Sequence, residues 1–260
     1  TDLSLPSYDR SRLEVGWVHI GCGAFHRAHQ AFALETLLQR DFERHRTWGL
    51  CCIDLLPSGA TICDGLNEQG GLYSLLERDA AGEHLRIVGG VKSALPAARD
   101  FEEAISTLTS PSVKLVTLTI TEGGYYFDRA ASRLLSDHPD IQRDLTSDEP
   151  PRTALGLLAK TLQQRHELGI APPTILSCDN LRENGFVLKS ALVAFCRLKY
   201  PALATHIQEQ VAFPNCMVDR ITPRTTDDDR RHLGERYGLK DSVPVVCERF
   251  FQWVIEDTFS

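Results

Sequence analysis

An apolar run that ends in one glycine, meets a second glycine two residues later and then turns helical constrains this chain more than any other feature. It is Val18–Ala31, "VHIGCGAFHRAHQA", preceded by "EVGW". Successive rather than alternate residues are apolar, as in a parallel strand covered on both faces. In a strand–turn–helix unit the first glycine permits the tight turn. The second lets the backbone approach a pyrophosphate seated on the helix N-terminus. Gly21 and Gly23 supply both features, and Arg27 is placed to add a charge-assisted contact to phosphate. His26 stands where a third glycine would allow close helix packing, so it changes packing without removing the phosphate site. His26 and His29 are three apart, which could mimic a metal pair. No third ligand follows at a plausible spacing, so packing at the helix start is the better account and no metal is expected.

The same punctuation recurs along the chain. "WGLCCIDLL" (48–56), "VKLVTLTI" (113–120) and "PTILSCDN" (173–180) read as further buried strands. Helical patterns run over 24–40, after Pro96, across 152–168, and over 184–210 with a break near Pro201. Residues 72–91 alternate apolar and polar around Ala81-Gly82, which predicts a β-hairpin inserted after the second strand. "FPNCMVDRITP" (213–223) is extended or irregular, and 226–237 is a short helix whose Asp227-Asp228-Asp229 run is a solvated start. Strands alternating with helices predict an α/β, Rossmann-like, doubly wound and mainly parallel sheet.

Such sheets hold their ligands at the carboxyl ends of the strands. The four tips after Ile20, Ile53, Ile120 and Cys178 are Gly21-Cys22-Gly23, Asp54, Thr121-Glu122-Gly123-Gly124 and Asp179-Asn180. An acid at the end of the second strand hydrogen-bonds ribose hydroxyls and repels a 2′-phosphate, so Asp54 favours NAD over NADP. The alternative for Asp54 is a turn cap before Pro57.

Composition narrows the partners. The 260 residues, 42% hydrophobic and 24% charged, suffice for one large α/β domain, or for one domain with an appendage. A net charge of −7 with mixed signs gives no reason to expect nucleic acid or an anionic membrane as partner. No stretch approaches the ~20 apolar residues that span a bilayer, and the first residues lack the basic-then-apolar order of a secretory signal. The eight cysteines form no CxxC pair. Cys51, Cys52, Cys178 and Cys247 lie in apolar runs, where cysteine acts as a small buried hydrophobe. A reduced, cytoplasmic protein is expected.

"IGCGAFHRAHQA", "TLTITEGGYYFD", "SCDNLRENG", "FPNCMVDRITP" and "VVCERFFQWVIED" together resemble the mannitol dehydrogenase family of polyol-specific long-chain dehydrogenases and reductases. The resemblance runs in order from about residue 15 to the end. It implies zinc-independent, NAD-dependent oxidation of a sugar alcohol to a ketose, with a small polyol or ketose as partner. It makes "GCGAFHR" the pyrophosphate loop, with Gly21, Gly23 and Phe25 lining it, and places Glu122 near the nicotinamide. Asn180 resembles the asparagine that holds and polarises the reacting oxygen; Val218 and Asp219 resemble residues that contact sugar hydroxyls. Alternatives are a helix cap for Asn180, an ion pair with Arg220 for Asp219, and an ordinary loop acid for Glu122.

The family's catalytic base is a lysine followed after four residues by asparagine and after two more by histidine. Lys92, Lys114, Lys160, Lys189, Lys199 and Lys240 all fail that spacing. The chain is therefore expected to be an amino-terminal portion: an arm (1–14), an NAD-binding domain (15–245), and the start of a junction (246–260) to a helical substrate domain outside it. Alone it is expected to be inactive. Phe250, Phe251, Trp253, Val254, Ile255 and Phe259 are expected to lack cover. Hexuronate reduction, or a non-catalytic nucleotide-binding module, are the alternative functions.

Overall fold

The structure, a computed structural model, describes residues 3–259. Its principal strands are β1 (Val15–Ile20), β2 (Gly49–Asp54), β3 (Tyr73–Asp79), β4 (Gly82–Val88), β5 (Val91–Pro96), β6 (Leu115–Leu118), β7 (Thr174–Ser177), β8 (Cys216–Asp219), β9 (Val245–Glu248) and β10 (Gln252–Ile255). Five of them form one sheet in the order β7-β6-β1-β2-β5, and every pairing is parallel. This is the Rossmann arrangement that the alternation of strands and helices predicted. Strand β5 was not expected: Lys92 and Ser93 interrupt its apolar run, so "VKSALP" has no strand signal of its own.

Both faces of the sheet are covered, which is why its strands are apolar on successive residues. Val18, Ile20, Cys51 and Ile53 point into one core, shared with the helices Phe101–Thr109, Ala154–Glu167, Asn184–Lys199 and Pro201–Gln210. Trp17, Leu50, Cys52 and Ala94 point the other way, onto the helices Gln30–Arg40 and Pro57–Glu68. Each fully buried aliphatic side chain contributes about 1.5–3 kcal/mol.

The hairpin β3–β4 grows into a second sheet. Its order is Leu3–Ser4, β4, β3, β9, so the first described residues and the late strand Val245–Glu248 flank the hairpin. Arg10 locks the arm down by donating to the carbonyls of Gly70, Gly89 and Val91. The predicted helix over 24–40 breaks at His29 into Ala24–Ala28 and Gln30–Arg40. The helix expected over 226–237 runs from Asp227 to Tyr237, with Thr226 and Asp229 forming a capping box.

Strands β8 and β10 form an antiparallel ribbon in the register Val218↔Trp253. It tucks part of the aromatic carboxyl-terminal segment inward. Trp253 stacks on Trp17 with ring centroids 6.0 Å apart, and Phe251 lies 4.5 Å from the His29 ring. Phe250, Val254 and Phe259 are the ones left half exposed, at 52, 53 and 52%. Among the described residues, no helix is long and apolar enough to cross a membrane.

Candidate active site

Parallel register sets the strand tips level: Ile20 lies opposite Ile53 and Leu118, and Leu118 opposite Ser177. Strands β1 and β6 are neighbours although β2 and β5 come between them in sequence. The chain thus reverses its winding at that point, and the crevice outside the strand ends opens there.

Gly21 begins the crevice with φ +102°, and a Cβ there would sit 2.2 Å from the Thr119 carbonyl oxygen. Only glycine fits. Gly23 precedes the Ala24–Ala28 helix, and a Cβ on it would meet nothing within 4 Å. Its backbone faces open space, so any side chain there would fill the cradle that a phosphate needs. Asp54, 8% exposed, secures the loop from the side. One carboxylate oxygen accepts from the Cys22 N–H and the other from the Leu56 N–H, both at 2.9 Å.

Two cavities meet at this loop. One, of about 330 Å³, lies between the Gly21–Gly23 turn, Asp54, Ser58 and Ile120. The other, of about 470 Å³, is lined by Phe25, Cys178, Asn180, Val218 and Asp219, among others. Gly23, Thr119 and Thr121 line both, so the two are halves of one cleft. The structure thus brings together Gly21, Gly23, Phe25, Asp54, Asn180, Val218 and Asp219.

It does not bring Arg27 there. That guanidinium is 4% exposed, donates to the Val243 carbonyl and lies over the Tyr73 ring, tying the first helix to the second sheet. Glu122 sits on an exposed turn and lines neither cavity.

Alternatives for the other residues can be checked directly. The helix after β7 starts at Asn184, and Asn180 does not cap it; Asn180 is exposed on the second cavity without a hydrogen bond among the described residues. Asp219 is not paired with Arg220. The Arg220 guanidinium turns inward to Glu77 at 2.5 Å and to the carbonyls of Ala28 and Glu248. Asp219 is left exposed at the rim of the cavity.

Asp179 and Thr121, read from the sequence only as parts of strand tips, and Asn184, not singled out at all, hold this architecture. Asp179 accepts from the N–H groups of Ile120 and Thr121 at 3.0 and 2.9 Å, and from the Tyr125 hydroxyl at 2.5 Å. Burial raises its pKa, against those three donors. Thr121, a β-branched residue at φ +62°, is thereby held in a backbone conformation that costs on the order of 1–3 kcal/mol. The strain falls where both cavities meet. Asn184, fully buried, donates to the carbonyls of Asp179 and Cys216 and accepts from the Cys216 N–H, joining the tip of β7 to β8. Asp179 and Asn184 share "SCDNLREN" with the suspected Asn180, and Thr121 opens the glycine-rich tip after Ile120; nothing in those places announced the clamp or the strain.

The third-glycine position also has its answer. His26 is fully buried, and its ring stacks on His19 with centroids 3.4 Å apart. His19 hydrogen-bonds the hydroxyls of Thr117 and Thr119. Burial holds the His26 ring neutral, with its pKa lowered to about 3. Among the described residues, no group of three His, Cys, Asp or Glu side chains could hold a metal ion.

The family model that describes the mannitol dehydrogenase Rossmann domain matches residues 15–260. This chain belongs to the mannitol dehydrogenase family. Within that family it is similar to the mannitol 2-dehydrogenase of Phaeosphaeria nodorum, 41% identical over all of this chain and 45% of that one. It is also 43% identical to the Aspergillus fumigatus mannitol 2-dehydrogenase, over 99% of this chain and 52% of that one. Among solved structures, the Pseudomonas fluorescens mannitol 2-dehydrogenase, in ternary complex with NAD and D-mannitol, superposes with a TM-score of 0.95 at 39% identity. That match covers 99% of this chain and 52% of that one. A D-sorbitol dehydrogenase in substrate-free form gives 0.93 at 34%, covering 99% and 53%. The chain spans about half the length of the mannitol dehydrogenase family members it matches.

Proposed function

We propose that this chain is the NAD-binding portion, with one wall of the substrate site, of a polyol dehydrogenase that oxidises a sugar alcohol of the mannitol kind to a ketose. The observation that carries the reading is the paired cavity. An open glycine cradle with an acid beside it adjoins a polar chamber lined by Asn180, Val218 and Asp219. When bound, NAD supplies a hydride acceptor at the nicotinamide carbon. The residues present fit it: Gly23 leaves the space that a pyrophosphate needs, and Asp54, which lines the same cavity, would accept from ribose hydroxyls.

Residues of the second cavity would orient the polyol. The free Asn180 amide both donates and accepts, which suits an alcohol becoming a carbonyl, and the exposed Asp219 carboxylate accepts from hydroxyls. Among the described residues no lysine lines either cavity, so in this reading the proton acceptor is the family's lysine, supplied by sequence outside this chain. The Arg220 guanidinium at the second cavity is fully engaged with Glu77 and two carbonyls. Among the described residues that line this cavity no cation is left free for a carboxylate, which favours a neutral polyol over a uronate.

The test is an NAD(H)-linked assay on a polypeptide that carries the family's second half as well, with mannitol, arabinitol and fructuronate side by side. Mannitol or arabinitol oxidation, lost on Asn180→Ala, is the expected result. Reduction of fructuronate alone would move the substrate to the uronates, and NADH binding with no turnover would leave a nucleotide-binding module.

A further inference from the structure

The helix Pro57–Glu68 starts just beyond the tip of β2 and carries a glycine, Gly59, in its first turn. Glycine is a poor residue within a helix, because it gives up the most backbone freedom and packs no side chain. Gly59 is not among the glycines at positive φ, so no left-handed turn requires it. A neighbour does. A Cβ on Gly59 would lie 1.9 Å from the Asp54 carboxyl carbon and 2.2 and 2.3 Å from its two oxygens. Those three are the nearest atoms, so the Asp54 carboxylate fills the volume that any other residue at position 59 would claim.

The carboxylate is pinned on its other sides as well. Its two oxygens accept from the Cys22 and Leu56 N–H groups, one each, and the Gly59 N–H closes the helical turn onto the Leu56 carbonyl at 3.0 Å. A carboxylate oxygen has two lone-pair positions. After one backbone bond each, Asp54 keeps acceptor capacity on both oxygens. Asp54 and Gly59 line the first cavity together with Ser58. The position of the acceptor in that cavity is therefore fixed by three things: the Cys22 N–H, the Leu56 N–H and the missing side chain at Gly59.

We propose that Gly59 is a positioning residue for cofactor choice: having no side chain, it seats the Asp54 carboxylate where it accepts from a ribose 2′-hydroxyl and repels a 2′-phosphate. This rests on NAD being the cofactor of this cleft, as proposed above. A methyl group at position 59 displaces the carboxylate, because the end of a side chain gives way before backbone does. The bonds to Cys22 and Leu56 are then lost, the 2′-hydroxyl loses an oriented acceptor, and the negative charge leaves the place a 2′-phosphate would enter. Selectivity thus depends on a residue that offers the nucleotide no functional group of its own.

The test is a cycle of four proteins: the unaltered chain, Gly59→Ala, Asp54→Gly and the double variant, each titrated with NADH and NADPH by nicotinamide fluorescence. The unaltered chain should favour NADH, and Gly59→Ala should cut that preference roughly tenfold, the effect of misplacing one hydrogen bond to a charged group. A merely structural role would weaken both nucleotides alike. Asp54→Gly should lower the preference at least as far, and Gly59→Ala added to it should lower it no further, because no carboxylate is left to displace. An unaltered chain without a preference, an undiminished preference in Gly59→Ala, or a further fall in the double variant overturns the proposal and leaves the NAD-binding reading standing. An unaltered chain that binds neither nucleotide overturns both. Should Gly59→Ala fail to fold, thermal unfolding of the other variants decides: the double variant should melt no lower than Asp54→Gly. A lower melting temperature would place the clash elsewhere and overturn the assignment.

Discussion

His26 lies flat on His19, ring centroids 3.4 Å apart and planes 9° from parallel. Both rings are fully buried, which lowers both pKa values, His26 to about 3; the nearby His29, also mainly desolvated, falls to about 4. An unfolded imidazole titrates near 6.5, so as pH falls the unfolded chain takes up protons that the folded chain refuses. Stability is therefore greatest above pH 6.5 and is lost progressively down to pH 3–4. At pH 5, His26 and His29 should each have withdrawn about 2 kcal/mol. Thermal unfolding at pH 7.5 and pH 5.0 measures the loss, and His26→Phe should shrink it. A melting temperature that does not change between those pH values would rule this out.

The two glycines of the loop separate folding from binding. At Gly21 a Cβ runs into the Thr119 carbonyl and the backbone is at φ +102°; at Gly23 it points into the cleft. Gly21→Ala should cost on the order of 1–3 kcal/mol of stability, read as a lower urea midpoint. Gly23→Val should leave that midpoint within about 0.5 kcal/mol while abolishing the enhancement of NADH fluorescence. Equal loss of stability in both variants would contradict the geometry.

What the sequence made legible was local. Parallel strands buried on two faces write themselves as unbroken apolar runs, so β1, β2, β6 and β7 and their tips could be read. The pairing of β9 with β3, and of β10 with β8, joins segments far apart in the chain and leaves no periodic trace. Side-chain direction was equally hidden. Arg27 sits in the loop motif yet points at Val243, because its place on the first helix faces the second sheet. Asp179 looked like a neighbour of Asn180 and is instead the clamp on Thr121.

That clamp yields a prediction. Asp179→Ala removes three acceptor contacts and frees the strained Thr121 backbone, so it should destabilise the fold by about 2–4 kcal/mol and loosen both cavities. Asn180→Ala should leave the thermal midpoint nearly unchanged, because its exposed side chain holds nothing among the described residues. Differential scanning calorimetry of both variants distinguishes the support from the candidate site residue. A large midpoint drop in Asn180→Ala would mean that Asn180 is structural after all.

Glu77 and Arg220 make the remaining prediction. They meet at 2.5 Å with the arginine side chain fully buried, its guanidinium stacked 4.3 Å over Phe32, and Glu77 also lies 3.8 Å from the Arg86 guanidinium. One carboxylate thus serves two cations in a poorly solvated place. Glu77→Gln keeps an oxygen near Arg220 but strips the counter-charge from both, and should cost about 3–5 kcal/mol. The double change Glu77→Leu with Arg220→Met should recover part of that, because Arg220 is no longer a buried unpaired ion while Arg86 keeps some access to water. The consequence should also reach the site: Arg220 follows Asp219 and lines the second cavity, whereas Glu77 lines neither. Under the proposed polyol reading, and in a polypeptide that also carries the family's second half, Glu77→Gln should raise the polyol KM more than it changes the affinity for NADH. Equal effects on both would show that the pair supports the sheet as a whole rather than the strand that carries Asp219.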